Sequence, residues 1–319
     1  QTELEHGVTV IASGASELKP DLHLYGKDSR VLTALELDQK LIENDAALKE
    51  KKTVLFIQCV GSRIEERPYC SKVCCTHSIK SALKLKELNP DMDVFILYRD
   101  MRSYGLREDL YRDARAKGII FIRYDFEKGL NVGLENQDLR VTFTDTIIRR
   151  QMEITPDMVV LASAITPPKE NPLAQQYKVT LNDDGFFMEA HVKLRPVDCA
   201  TDGVFICGLA HAPKSIEEII TQAKAAASRA STILSKDTIM AEGIVSSVDE
   251  DICSSCGTCE AVCPYGAIAV NRKKGVAEVN EALCKGCGTC CSACPSGAAQ
   301  QRGFTTEQIS AMIRASLGV

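Results

Sequence analysis

No stretch of the 319-residue sequence is long and apolar enough to read as a membrane span. The longest apolar runs, such as Met158–Ile165, have the length of a buried strand. A secretory leader pattern is also missing from the start. Positive charge is not in excess: the formal net charge is −5, which argues against general nucleic-acid binding. Nor is there a G-x-G-x-x-G turn of the kind that cradles a dinucleotide diphosphate. Gly129-Leu-Asn-Val-Gly133 lacks both its spacing and the helix that should follow. What is left has 45% hydrophobic and 25% charged residues, ordinary for a globular protein, at a length that suits two or three domains. The chain opens at Gln1 and runs directly into Val8–Gly14, which reads as a strand, so a domain is expected to begin in its middle.

Against these absences stand fifteen cysteines. In a small secreted chain they would suggest disulfides, but this chain is large and shows no leader. All but Cys199 and Cys207 fall in three tight groups, at 59–75, 253–263 and 284–294. Cysteines two or three residues apart are poor disulfide partners and good ligands for one metal centre, so a reducing cytoplasm is the expected compartment.

From Val8 to about Ala230 short apolar runs alternate with amphipathic segments. Thr53–Cys59, Asp93–Tyr98 and Gly118–Arg123 read as buried strands, and Thr76–Leu88 and Gly105–Lys117 as the helices between them. In the second helix Leu106, Leu110 and Ala114 recur four apart, on one face. Such a βαβ series predicts a parallel sheet. Arg140–Phe143 and Gln151–Ile154 look like a short antiparallel pair. Met158–Ile165 and Gly203–Gly208 read as further strands, and Ser215–Ser235 as a long Ala-rich helix. From about Val245 the chain turns Cys- and Gly-rich and repeats itself: Asp251–Pro264 matches Ala282–Pro295. Thr305–Leu317 closes as an amphipathic helix.

Each half of the repeat has the form C-x2-C-x2-C-x3-C-P. Three cysteines so close let one loop wrap a cubane, and the fourth ligates the other cluster. Cys253, Cys256, Cys259 and Cys294 are therefore expected to hold one [4Fe–4S] cluster, and Cys284, Cys287, Cys290 and Cys263 the second. Gly257 and Gly288 give the loops backbone freedom near the sulfurs, and Pro264 and Pro295 turn the chain away. Structural zinc, which pairs two knuckles around one tetrahedral ion, fits this triple spacing poorly. Cys291 breaks the repeat and reads as a small buried residue. Two adjacent clusters make a wire, and a wire implies a donor and an acceptor elsewhere.

Cys59, Cys70, Cys74 and Cys75 form a second pattern, C-x10-C-x3-C-C, where a dinucleotide-binding domain would place its glycine-rich turn. The setting is basic (Arg63, Arg67, Lys72, His77, Lys80), which favours thiolates or an anionic cluster. A third iron–sulfur site is expected here; a redox-active dithiol and zinc are the alternatives.

Cys59-Val-Gly-Ser-Arg63 followed by Tyr69-Cys-Ser-Lys-Val-Cys-Cys75 resembles the signature of the heterodisulfide reductase A-subunit family. Tyr98–Gly105 and Gly208-Leu-Ala-His-Ala-Pro213 with Ile216 are similar to other stretches of that family, as is the tail. The resemblance covers essentially the whole chain. It implies an α/β fold, thioredoxin-reductase-like parallel-sheet domains followed by an α+β two-cluster bacterial-type ferredoxin domain. It further implies FAD in addition to the clusters, with the diphosphate motif supplied by a missing N-terminal half or by another chain. On that plan residues 1–20 end an FAD-domain segment, and 21–155 are a pyridine-nucleotide-domain-like insert carrying the first cysteine group. Residues 156–240 return to the FAD domain, 241–303 are the ferredoxin domain, and 304–319 the last helix. Gly14 would lie in the returning strand–turn. Gly208, Leu209 and Ala210 would offer N–H groups to flavin oxygens, with Ser215 and Ile216 opening a helix toward the cofactor. Lys80, five residues after the cysteine pair, matches a lysine near the flavin in the family; its other reading is a solvated helix lysine. The implied activity is electron transfer within a complex, relaying or bifurcating electrons. Its partners would be other heterodisulfide-reductase-like chains and a donor module of hydrogenase, formate dehydrogenase or ferredoxin type. A flavin-free polyferredoxin adaptor is the alternative, and an NAD(P)H oxidoreductase a weaker third.

Overall fold

The computed structural model describes residues 5–238, 243–281 and 283–318. The chain divides into two compact units, Gln1–Gln175 with Val179–Ser231, and Gln176–Lys178 with Thr232–Val319. The domain boundary expected at 240/241 lies outside the described residues.

The first unit opens with β1 (Thr9–Ile11) and β2 (Ser16–Glu17), then β3 (Val31–Thr33) and α1 (Ala34–Ile42). Thr33 starts that helix with a capping box: its hydroxyl accepts from Glu36 N, and its own N–H donates to the Glu36 carboxylate. Neither β3 nor α1 is announced by the sequence, both being too short to show a clear period. There follow β4 (Thr53–Val60), α2 (Cys74–Leu88), β5 (Asp93–Tyr98), α3 (Glu108–Ala116) and β6 (Ile120–Arg123). Next come β7 (Leu130–Glu135), β8 (Asp138–Thr144), β9 (Gln151–Ile154) and β10 (Met158–Ser163). The unit's remaining elements are β11 (Ile165–Thr166), α4 (Pro172–Gln176), β12 (Val204–Ile206) and α5 (Ile216–Leu234).

Five strands form the central sheet in the order β3-β10-β4-β5-β6, every pair parallel. The central strands are buried on both faces, which is why β4 and β10 read as unbroken apolar runs. One face packs Phe56, Ile96 and Val160 against Ile79, Ala82 and Leu85 of α2 and Leu37 of α1. The other packs Leu55, Leu97 and Leu161 against Val132, Val141 and Phe143 of the antiparallel sheet β7-β8-β9. β10 thus lies in the middle of the parallel sheet, between β3 and β4. The boundary expected at 155/156 therefore moves beyond β10. β1 and β12, far apart in sequence, pair in parallel as a small sheet of their own, with Thr9 against Val204 and Ile11 against Ile206.

One expectation fails locally. The four-residue spacing puts Leu106 with Leu110 and Ala114 on a buried face, yet Leu106 is 92% exposed while Ala114 is fully buried. Residues 105–107 form a 3-10 turn ahead of α3, and three residues per turn rotate Leu106 off the stripe.

The second unit comprises β13 (Ser246–Val248), α6 (Thr258–Val262), β14 (Ile268–Asn271), β15 (Val276–Val279), α7 (Thr289–Ala293), β16 (Ala299–Gln301) and α8 (Thr306–Leu317). β13 pairs antiparallel with β16, and β14 with β15, so the first strand of the repeat closes on the last. α6 and α7 are single turns, each preceded by a left-handed glycine, Gly257 at φ 78° and Gly288 at φ 76°.

Burial predicts a sharp contrast between two positions of the first unit. Phe56→Ala should lower its unfolding free energy by about 3–5 kcal/mol. Leu106→Ala should change it by less than about 0.5 kcal/mol. Urea unfolding followed by circular dichroism checks both.

Candidate metal centres

The duplicated unit holds two cavities with different cysteines in each. One, of about 330 Å³ empty volume, is lined by Cys253, Cys256, Cys259 and Cys294. The other, of about 380 Å³, is lined by Cys263, Cys284, Cys287 and Cys290. These are the two crossed sets that the spacing predicts. Apolar residues contribute to both walls, with Val248, Val270 and Ala277 on one cavity and Ile268 and Val279 on the other.

The sulfurs are met by donors suited to thiolates. Ala277 N donates to Cys253 Sγ at 3.5 Å, and Ser246 N to Cys284 Sγ at 3.3 Å. Ser246 and Ala277 occupy equivalent places in the two halves, so each half's strand serves the other half's first cysteine. Ala267 N donates to Cys263 Sγ at 3.3 Å and Ala299 N to Cys294 Sγ at 3.5 Å. Thr258 and Thr289 hydroxyls lie 3.4 and 3.3 Å from Cys256 and Cys287. Hydrogen bonds, led by the Ala299 N–H, hold the Cys294 thiol down to about 7. Among the described residues no three His, Cys, Asp or Glu side chains close on one point as they would around a single ion. A cubane spreads its thiolates over four irons and needs a wider ring.

Two of the positions at which the halves differ lie against the sulfurs. Where the second half has Ala277, the first has Ser246, whose buried hydroxyl lies 3.3 Å from Cys290 Sγ and 3.6 Å from Cys291 Sγ. Cys291 stands where the first half has Glu260; it faces Ser246, and burial pushes its thiol up to about 11. Cys291 is absent from the lining of both cavities, in line with its reading as packing.

In the first unit Cys59 lies at the carboxyl end of β4, near enough to Cys70, Cys74 and Cys75 for their charges to be felt. Between Leu161 and Ser163 of β10 the neighbouring strand advances from Ile57 to Val60, so Gln58 and Cys59 oppose one residue. Cys59 takes a left-handed backbone, φ 62°, at this bulge, which redirects its side chain. Gly61 follows at φ 73°; a Cβ there would stand 2.3 Å from the Leu18 side chain, so only glycine fits without displacement. Cys74 and Cys75 begin α2 and pack with Ala162 and Met101. Lys72 N donates to Cys70 Sγ at 3.3 Å, and Cys75 Sγ donates to Asp100 O at 3.8 Å.

Burial pushes the Cys59 thiol up, while the Arg63 charge opposes the shift. A hydrogen bond shared with Cys74 holds Cys75 down to about 7 and pushes Cys74 up. Six of the seven buried side-chain atoms without a hydrogen-bond partner among the described residues fall in the segments that carry or flank these cysteines. They are both amide atoms of Gln58, Arg63 Nη1, Thr76 Oγ1, Ser78 Oγ and Ser163 Oγ. Orphaned buried polar atoms are rare and point to a missing partner. Four thiols beside the unpartnered, charged Arg63 Nη1 donor are a set that suits an anionic cofactor. Cys199, fully buried with its thiol pushed up to about 12 by burial, takes no part in either group.

The remaining predicted site residues are spread over the first unit. Gly14 follows β1 at φ 76°, and Gly208–Ala210 form a 3-10 turn after β12. The Gly208 N–H is already taken by Gln222 Oε1 at 2.9 Å. Ser215 precedes α5, its N–H donating to Glu218 Oε2 at 2.8 Å and its hydroxyl accepting from Glu218 N. Ile216 is exposed, and so is Lys80 on α2. A lysine that the sequence pattern does not single out is buried here: Lys214 Nζ donates to Gly208 O at 2.8 Å, and burial lowers its pKa to about 8. Its position one residue before the helix-opening Ser215 is the signal that could have found it.

Residues 252–298 match the family described as a 4Fe-4S dicluster domain. Over 99% of its length the chain is 42% identical to the A subunit of the H(2):CoB-CoM heterodisulfide,ferredoxin reductase of Methanothermobacter thermautotrophicus, covering 50% of that protein. It is 39% identical over 98% of its length to the iron-sulfur A subunit of the CoB–CoM heterodisulfide reductase of Methanocaldococcus jannaschii, again covering 50%. Across the half it spans, the chain is similar to these heterodisulfide reductase A subunits. The chain thus covers about half the length of these relatives. Among solved structures, T. acidophilum thioredoxin reductase is similar with a TM-score of 0.49 and 13% identity, over 72% of this chain and 66% of that one. Among the described residues no helix is long and apolar enough to cross a membrane.

A cluster-bound Cys290 thiolate can only accept, so the Ser246 hydroxyl, which otherwise donates to Gln300 O at 3.3 Å, would turn its one proton to the sulfur. Ser246→Ala should lower the midpoint of one of the two dicluster-domain couples by about 1 kcal/mol, roughly 40 mV for one electron. Potentiometric titration followed by EPR measures it.

Proposed function

We propose that this chain is the iron–sulfur-bearing half of a heterodisulfide-reductase-like oxidoreductase, relaying electrons between a donor module and partner subunits. The observation that carries the reading is the presence of two separate kinds of cysteine site on one chain. The dicluster unit has two lined cavities, and a third thiol group stands at the carboxyl edge of a parallel sheet beside the start of α2. Bound clusters supply one-electron transfer; the chain's own residues set where they sit and how strongly they hold an electron. Cys253, Cys256, Cys259 and Cys294 would hold one cluster, and Cys284, Cys287, Cys290 and Cys263 the second, each set receiving N–H donors from the opposite half. Cys59, Cys70, Cys74 and Cys75 would hold the third, with the positive end of α2 beneath Cys74 and Cys75.

FAD is the further cofactor of this reading. β1 with Gly14 and the turn after β12 would form the part of its site that this chain carries, completed by the half of the relatives that lies outside it. With Gly208 N–H engaged by Gln222, oxygen acceptors fall to Leu209 and Ala210, and Ser215 and Ile216 start the helix beside them. Lys80 would be covered only once that remainder is in place. The relatives' names pair heterodisulfide with ferredoxin as acceptors and H2 or formate as donors. Division of an electron pair between two acceptors, with hydrogenase or formate-dehydrogenase partners, is the corresponding proposal for this chain.

Anaerobic reconstitution tests the reading directly. The chain should take up about twelve irons, four for each of three clusters, and Cys70→Ser about eight. About eight irons in the unaltered chain, together with no flavin in the full-length protein, would instead favour a polyferredoxin adaptor.

A further inference from the structure

The loop that carries the first cysteine group is held in conformations that side chains avoid. Cys59, Arg63 and Lys72 all adopt left-handed backbones, at φ 62°, 58° and 60°. Such conformations persist only where the surroundings over-determine them, and they gather at functional sites.

At Arg63 the surroundings are identifiable. Its N–H donates to Tyr69 O at 3.1 Å, and its carbonyl accepts from Arg99 Nη1 at 2.8 Å. Arg63 Nη2 donates to Asp100 Oδ2 at 2.6 Å, in a side chain only 19% exposed. The other terminal nitrogen, Nη1, is buried without a partner among the described residues. Asp100 is tied to the same place from the other side. Its carbonyl accepts from Cys75 Sγ at 3.8 Å, and its carboxylate also pairs with Arg123 at 3.3 Å. The pair therefore spans the cysteine group, Arg63 four residues after Cys59 and Asp100 against Cys75.

A guanidinium with one donor committed to a carboxylate and one buried and unsatisfied is short of an anion. Thiolates around a cluster supply one. We propose that Arg63, clamped by Asp100, sets the reduction potential of the cluster on Cys59, Cys70, Cys74 and Cys75. This rests on reading that group as an iron–sulfur site. Reduction adds negative charge, so a fixed cation in a poorly solvated position stabilises the reduced state and raises the potential. Asp100 acts with the opposite sign: it holds the guanidinium in place and cancels part of its charge. A mere loop staple would also need the Arg63–Asp100 contact, but it would leave the potential indifferent to which of the two charges is removed.

The experiment uses the reconstituted full chain and the EPR component that Cys70→Ser abolishes. Arg63→Gln should lower the midpoint of that component, and Asp100→Asn should raise it, both at about twelve irons. The proposal is overturned if Arg63→Gln leaves the midpoint where it was, or if Asp100→Asn lowers it, leaves it unmoved or loses the cluster. Should Arg63→Gln itself shed iron to about eight, Asp100→Asn decides alone, and only a rise supports the assignment. An unaltered chain that takes up only about eight irons withdraws the cluster itself, a result distinct from an unmoved midpoint.

Discussion

Between Ile57 and Val60 strand β4 advances three residues while β10 beside it advances two, from Leu161 to Ser163. The surplus turns Cys59 out of the alternation of the strand and into a left-handed conformation, and the arrangement beyond β4 depends on it. Without the bulge, the thiol would remain one of the side chains buried against the sheet. With it, Cys59 enters the group that holds Cys70, Cys74 and Cys75, while Gln58, with neither amide atom partnered among the described residues, stays beneath. The sheet tolerates the irregularity because β4 is paired on both sides and sandwiched between the α2 face and the β7-β8-β9 face. A strand so thoroughly buried can store local strain at its end.

How far the sequence reveals this differs by feature. The crossed cysteine sets are fully legible, since C-x2-C-x2-C-x3-C twice over leaves one geometry for two cavities, and Pro264 and Pro295 mark where each crossing ligand ends. The parallel sheet is legible from unbroken apolar runs such as Val54–Ile57. β3 and α1 are not, because three residues carry no period and the capping box at Thr33 and Glu36 is recognisable only once a helix is suspected. Leu106 misleads because its spacing suits an α-helix and the chain there forms a 3-10 turn. The bulge at Cys59 is beyond reach altogether: a register shift belongs to two strands that are about a hundred residues apart in sequence. So is the Arg63–Asp100 pair, whose members are separated by the whole of α2 and β5.

Duplication explains the second unit and also its asymmetry. Each half lends a strand N–H to the other half's first cysteine, so neither cavity is complete on its own. This ties the folding of the two halves together through the same contacts that would tune the clusters. Within that symmetry Ser246 and Cys291 stand together on one side only. A hydroxyl at Ser246 has a buried sulfur to bond there, whereas Ala277 in the equivalent place adds only packing. A change of one side chain at this place is therefore enough to make the two steps of a duplicated wire unequal.

The first unit applies the same physics to an older problem of parallel sheets. Their carboxyl edge, with a helix starting beside it, concentrates partial positive charge, and in dinucleotide-binding domains a glycine-rich turn brings a diphosphate to it. Here Cys59 stands at the end of β4 with Gly61 and Arg63 in the turn after it, and α2 begins with two cysteines instead of a phosphate-binding loop. Thiolates are softer and more easily desolvated than a diphosphate, and on the proposed reading those at the start of α2 would draw on the same helix dipole. A compact diphosphate can be enclosed by backbone alone, whereas thiolates fixed to the chain leave their charge where the chain puts it. Compensation must then come from a side chain placed as firmly as they are, and Arg63, its main-chain N–H and carbonyl both bonded and its guanidinium held by the Asp100 carboxylate, would meet that requirement.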